Sequence, residues 1–203
     1  NASSADVYNT AVGLNAGKLI TTGSLNTLIG GVSGDALTTG GQNVAVGQNS
    51  LTSATTSGNN TAIGYASMLA TTTGGQNTAV GAQSLDANTT GVSNVALGYN
   101  SMTANTQGYE NTAVGKDSLA SCTEGFENTT VGHNCGAGIT TGDGNTFLGN
   151  AAGQATTTAD FNTALGQAAL ASNTTGFHNV AVGKDALDAN TTGTHNVAVG
   201  LDS

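Results

Sequence analysis

Residues 77–93, NTAVGAQSLDANTTGVS, and residues 179–195, NVAVGKDALDANTTGTH, are two copies of one phrase, and the interval at which it returns decides the fold. Each copy opens on an asparagine, then Thr or Val, a third residue that is usually Ala, an aliphatic and Gly. The opening residue is Asn9, Asn26, Asn43, Asn60, Asn77, Asn94, Asn111, Asn128, Asn145, Asn162, Asn179 and Asn196, every step being 17 residues with no insertion or deletion. A fixed short period means that each unit buries its apolar face only by stacking on the next, as in a solenoid or fibre. The expected architecture is all-β: one repeat domain over residues 1–203, a parallel β-solenoid or β-roll of twelve 17-residue coils, two short strands per coil, and no evident capping repeat.

The unit itself carries the strand signals. Its second residue is always Thr or Val and its fourth always Val, Ile or Leu, from Val12 to Val199. Alternation of this kind is the period-2 pattern of a short strand with one aliphatic face. On that reading the fourth residue fills the interior. The third, Ala in nine of twelve copies, then points outward, either to admit a second copy of the chain or simply to keep the strand smooth. Gly follows the aliphatic every time, from Gly13 to Gly200, which marks a turn needing positive φ or leaving no room for a Cβ. A second strand is expected from the Leu or Met at Leu51, Met68, Leu85, Met102, Leu119, Leu170 and Leu187, running to a Thr found in every complete unit from Thr21 to Thr191. A Thr-Thr-Gly turn closes the unit. Its glycine gives way to Asp6, Ser57 and Ala159, so this turn is less demanding than the first.

Strands stacked in register at about 4.8 Å make twelve coils a rod of roughly 55 to 60 Å. Register also sets each residue over its own copy, so the repeated Asn becomes a ladder whose amides hydrogen-bond coil to coil, the arrangement that makes buried Asn tolerable. Irregular copies break the interior pattern: Gly136 and Gly153 stand where Leu belongs, and residues 15–20 and 31–34 replace the Ser-Leu segment, so packing should change locally there.

Composition narrows the function. Only 7% of residues are charged, there is no Pro, and twelve acids against Lys18, Lys116 and Lys184 give a net charge of −9. With no basic cluster, nucleic acid is not an expected partner, and no apolar run approaches the roughly 18 residues of a membrane span. The chain begins at Asn1 and shows no signal peptide, so it reads as a mature or excised segment. Cys122 and Cys135 occupy different places in adjacent units, and Cys135 takes one otherwise held by Ser or Ala, which suits a small buried residue better than half of a bridge.

Chemistry-bearing constellations are few. Glu110 and Glu127, Asp143 and Asp160, and Asp185 and Asp202 fall at matching places in adjacent units, where Ca²⁺ would relieve their repulsion, but without the ligand density of an aspartate-rich calcium repeat. A solvated surface is the better reading. His178 and His195 also match, yet zinc needs more ligands than two, so a surface pair is expected. No nucleophile, phosphate or dinucleotide motif occurs in a supporting context, and the chain reads as non-catalytic with no cofactor. Asn59, Asn88, Asn128, Asn173 and Asn190 head formal glycosylation sequons, most of which coincide with the repeat consensus. Ice binding by a Thr-x-Thr array is a rival, but Thr mostly precedes Thr directly, and the spaced pair occurs in that segment only at Thr71/Thr73 and Thr156/Thr158. Tyr65, Tyr99, Tyr109, Phe126 and Phe177 look scattered over the unit, which speaks against an aromatic row for carbohydrate.

The combination of Asn, aliphatic-Gly and Thr-Thr-Gly at fixed spacing resembles the 17-residue repeats of bacteriophage tail-fibre and bacterial surface proteins that end in an endosialidase-type self-cleaving chaperone domain. It is more distantly similar to the head repeats of YadA-like trimeric autotransporter adhesins, whose units are shorter. The resemblance implies an extracellular structural repeat at a cell surface or on a virion fibre, self-assembling as a homotrimer or as an end-to-end filament, with surface glycans or matrix as further partners. No catalytic residue is carried over. The alternative is a carbohydrate-binding or ice-binding surface on the same rod.

Overall fold

A computed structural model describes residues 8–203. Asp6, one of the departures from the second turn, lies outside them. Twelve three-residue strands, β1 (Thr10–Val12), β2 (Thr27–Ile29), β3 (Val44–Val46), β4 (Thr61–Ile63), β5 (Thr78–Val80), β6 (Val95–Leu97), β7 (Thr112–Val114), β8 (Thr129–Val131), β9 (Thr146–Leu148), β10 (Thr163–Leu165), β11 (Val180–Val182) and β12 (Val197–Val199), form one sheet in chain order. Every pairing is parallel and in register, Ala79 opposite Ala62 and Ala96. The chain is a β-solenoid in which one 17-residue unit makes one coil. Among the described residues no helix is long and apolar enough to cross a membrane.

Each coil contains one strand, not two. The expected second strand fails because the seventh and ninth residues are left-handed in coil after coil, for example Gln83 (φ 56°) and Leu85 (φ 53°) in the fifth. A residue at φ near +55° reverses the pleat, so no extended run survives there. The leg is nonetheless stitched along the axis. Leu51 N–H donates to the Ser67 carbonyl (3.0 Å), Ser53 to Leu69 (3.1 Å) and Thr55 to Thr72 (3.2 Å), and the invariant Thr adds a hydroxyl bond, as Thr38 Oγ1 does to the Thr55 carbonyl (3.1 Å). Backbone groups are thus paired without strand geometry, as burial demands.

The glycine after each strand has two reasons to be glycine. Gly81 sits at φ 140°, and a Cβ on it would land on the Gly98 carbonyl oxygen of the next coil. The closing glycines of Thr-Thr-Gly have no positive φ apart from the shared problem of space, consistent with Ser57 and Ala159 standing in that column.

The interior reverses the expected facing of the strand. The third residue points in: Ala45, Ala62, Ala79, Ala96, Ala113 and Ala181 are fully buried, as are Leu28 and Phe147. Across from them lie Leu51, Met68, Leu85, Met102 and Leu119, also fully buried. The fourth-residue aliphatics, assigned to the interior by hydrophobicity, point outward instead. Volume is the reason. The coil is narrow, and one large side chain per layer fills it, so the strand contributes Ala where the opposite leg contributes Leu or Met. Cys122 and Cys135 are buried and unbridged, and burial pushes their thiols up to about 12 and about 11.

Candidate functional site

With the small residue inside, the second and fourth residues of all twelve strands face outward. The fourth-residue column runs through Ile29, Val46, Ile63, Val80, Leu97, Val114, Val131, Leu148, Leu165 and Val182, each exposed or half-buried, with Leu97 at 45% and Leu148 at 47% exposure. Beside it the second-residue column is Thr in eight coils and Val in four, with Val44, Val95, Val180 and Val197 interrupting the Thr. No charged residue occurs in either column. Parallel stacking at about 4.8 Å per coil makes this a continuous uncharged face on the order of 500 Å², two-thirds aliphatic and one-third Thr. An uncharged, largely apolar face of that size is a candidate contact surface.

The Asn ladder holds that face in place. In the middle of the rod, Asn94 N–H and Nδ2 both donate to Asn77 Oδ1 (2.9 and 3.2 Å), while Nδ2 also donates to the Gly108 carbonyl (2.8 Å). Asn111, Asn128, Asn145, Asn162 and Asn179 repeat the pattern. Each amide therefore ties three places: the Asn of the preceding coil, the Asn that opens the strand of the following coil, and the turn fourteen residues on. No other side chain of this size offers one acceptor and two donors in that geometry.

A second ladder escaped the sequence reading. Asn105 Nδ2 donates to Asn88 Oδ1 (3.0 Å) and Asn190 Nδ2 to Asn173 Oδ1 (2.9 Å), in the twelfth position of adjacent coils. The signal is Asn over Asn at one 17-residue interval, masked at Asn88, Asn173 and Asn190 by their also heading sequons. The structure separates those: the side chains of Asn88, Asn128 and Asn173 are buried, Asn190 is half-buried, and Asn59 is exposed.

The acids serve the backbone. Asp143 Oδ1 accepts from Phe126 N–H and Asp160 Oδ1 from Asp143 N–H, both at 2.9 Å. Partial burial, with Asp160 and Glu127 nearby, raises the Asp143 carboxyl above the usual range, against the lowering effect of its backbone bond. Among the described residues no group of three or more His, Cys, Asp or Glu comes together around a common point. Asp185 pairs with the neighbouring Lys184, and Asp117 with Lys116 at 3.0 Å.

The aromatics are less scattered than their spacing suggested. Tyr109 and Phe126 share a column and stack face to face at 4.8 Å and 4°. Their facing sides cover each other, which leaves ring edges rather than a flat platform toward solvent. Farther along the same edge, Phe161, Phe177, His178 and His195 form a cluster with ring centroids 5.0 to 5.5 Å apart.

Compared with protein families, curated proteins and solved structures, the chain matches none of them. Its function is therefore read from its own surface.

Proposed function

We propose that the chain is the structural repeat region of an extracellular fibre or filament of tail-fibre or adhesin type, non-catalytic, which self-assembles side by side through the outer face of its sheet. The observation that carries this is the outward aliphatic column, uncharged from end to end. An area on the order of 500 Å² approaches the roughly 800 Å² per partner of a stable protein interface. Closed cyclic symmetry lets every copy bury the same face against its neighbours, and among the closed arrangements the resemblance to tail-fibre and adhesin repeats favours a homotrimer over a two-fold dimer. The rod supplies stiffness, and the face supplies association.

Native mass spectrometry and sedimentation of the chain, beside a Val80→Lys/Val114→Lys variant, test this directly. Both positions face outward, so coil packing should survive, and the trimer should give way to monomer. A wild-type chain that stays monomeric at ~100 µM, or an oligomer indifferent to the two lysines, would overturn the proposal.

One observation favours a second reading. Thr at the second position beside an aliphatic at the fourth gives a flat Thr-x-aliphatic lattice on this same face, a different array from the Thr-Thr-Gly segment weighed above. Such a face could order water for ice binding if it were left free. Thermal hysteresis from a monomeric chain would favour it, whereas a trimer would bury the array.

A further inference from the structure

The molecule's three histidines are His133, His178 and His195, and two of them meet. His178 Nδ1 and His195 Nε2 lie 3.2 Å apart, both side chains exposed, in adjacent coils at the seventeenth position. Their backbones are alike, φ 56° and 59°, so the two side chains leave the edge in parallel. Phe161 stacks on His178 at 5.5 Å, and Phe177 meets both imidazoles edge-on at 5.2 and 5.4 Å. The two imidazoles thus lie against two phenyl groups on an open edge, their own centroids 5.0 Å apart and their planes inclined at 67°.

We infer that His178 and His195 form a two-imidazole chelating site for a divalent transition-metal ion, Cu²⁺ first among them, with solvent in the remaining positions. Two nitrogens 3.2 Å apart can each reach an ion at about 2.1 Å with an angle of about 100° between the bonds, which lies between octahedral and tetrahedral values. In the absence of metal the same separation is spanned by an N–H···N hydrogen bond; to take an ion, the donor imidazole moves its proton to its other ring nitrogen and the two rings turn until both lone pairs converge on the metal. Imidazole suits copper, nickel and zinc, and for a nitrogen site the divalent series peaks at copper. The fold is what makes the chelate: residues 17 apart in sequence are set one rung apart by in-register stacking, much as residues four apart are set together on a helix. Among the described residues no third His, Cys, Asp or Glu completes the set. Asp160, in the preceding coil, accepts from the Asp143 N–H. The site is therefore open, taking hydrated ions and presenting free positions to a further ligand.

Isothermal titration of the intact chain with CuCl₂ in a non-coordinating buffer tests the assignment. One tight ion per chain is expected, weakened by about 100-fold in His178→Gln or His195→Gln, since the second nitrogen of a chelate binds at high effective concentration. His133→Gln should titrate as the wild type, because His133 faces Asn150 Nδ2 (3.1 Å) and not another imidazole. A parallel reading on the unaltered chain is paramagnetic broadening of imidazole proton signals, in which His178 and His195 should fade at a lower copper concentration than His133. The assignment is overturned if the His178→Gln/His195→Gln chain binds copper as the wild type does, or if His133 broadens together with the pair.

Discussion

The fifth and ninth coils fill the same interior in opposite ways. In the fifth, the strand gives Ala79 and the opposite leg gives Leu85; in the ninth, the strand gives Phe147 and the opposite leg gives Gly153. The phenyl ring borders two layers. It lies over Gly153 of its own coil and touches the place of Gly136 in the coil before, where a Cβ would stand 3.4 Å from Cδ2, an ordinary contact, and 2.8 Å from the Thr130 methyl. Leu28 does the same near the other end: Cβ atoms on Gly17 and Gly34 would each come within 2.8 Å of one of its methyl groups. Large residues on the strand thus go with glycine pairs across from them. The conserved quantity is volume per layer, and either leg can supply it. Backbone conformation does not distinguish the two cases, since Leu85 and Gly153 are both left-handed, at φ 53° and 58°. Leucine accepts about 1 kcal/mol of strain there for the sake of its burial.

The strongest way to break this comparison is Gly153→Leu. The new Cβ would land in the Phe147 ring, and overpacking of a closed layer should destabilise the rod by at least about 3 kcal/mol, read as a lower urea midpoint. Phe147→Ala alone opens a cavity and should cost about 3 to 5 kcal/mol. Together, Phe147→Ala/Gly153→Leu rebuilds the arrangement of the fifth coil and should recover most of both losses. Additive losses in the double variant would sink the idea of a shared volume. Some deficit should remain, because Gly136 still leaves part of the ring's space unfilled.

Next in size is a feature that does not differ between the two coils. Asn111→Ala removes the acceptor for Asn128 N–H and Nδ2 (3.0 and 3.1 Å) and the donor to the Gly125 carbonyl (2.7 Å). Buried partners left unpaired cost about 1 to 3 kcal/mol each, partly offset by relaxation, so a loss of about 3 kcal/mol is expected. Asn145→Ala in the phenylalanine coil should cost nearly the same, as it removes the same ladder bonds together with one long, part-buried bond to the Asp143 carbonyl (3.2 Å). A large difference in urea midpoint between the two would mean that the ladder and the interior filling are coupled, contrary to their separate geometry.

This separation also explains what could be read from the sequence. Period, register and the Asn ladder followed from identity at one position, Asn9 through Asn196, and needed no knowledge of direction. Facing did not follow. Alternation in Thr78-Ala79-Val80 says that two residues share a side and the third opposes them, but hydrophobicity alone put Val80 inside. Only the size of the opposite residue, Leu85, decides that Ala79 is the one that fits. The second strand was misjudged for a related reason: left-handed Gln83 and Leu85 carry no sequence mark, because leucine ordinarily avoids that conformation. The outward aliphatic face, on which the proposed assembly rests, was consequently hidden in residues already assigned to the core.

The smallest expected effect sharpens the same point. Leu85→Met should change the urea midpoint by less than about 1 kcal/mol equivalent, since volume is kept and Met68 and Met102 already occupy this place in the coils on either side. A methionine run of three should pack as well as the present alternation, because each side chain fills its own layer and meets its neighbours only along the axis. The phenylalanine solution is different in kind. Ala79→Phe paired with Leu85→Gly would still collide with Met68, as the ring of Phe147 is accommodated by glycines in two successive coils. Adding Met68→Gly should be required before that transplant is tolerated. If the two-residue exchange proved as mild as Leu85→Met, the layers would be independent, and the pairing of Gly136 with Gly153 and of Gly17 with Gly34 would lose its physical reason.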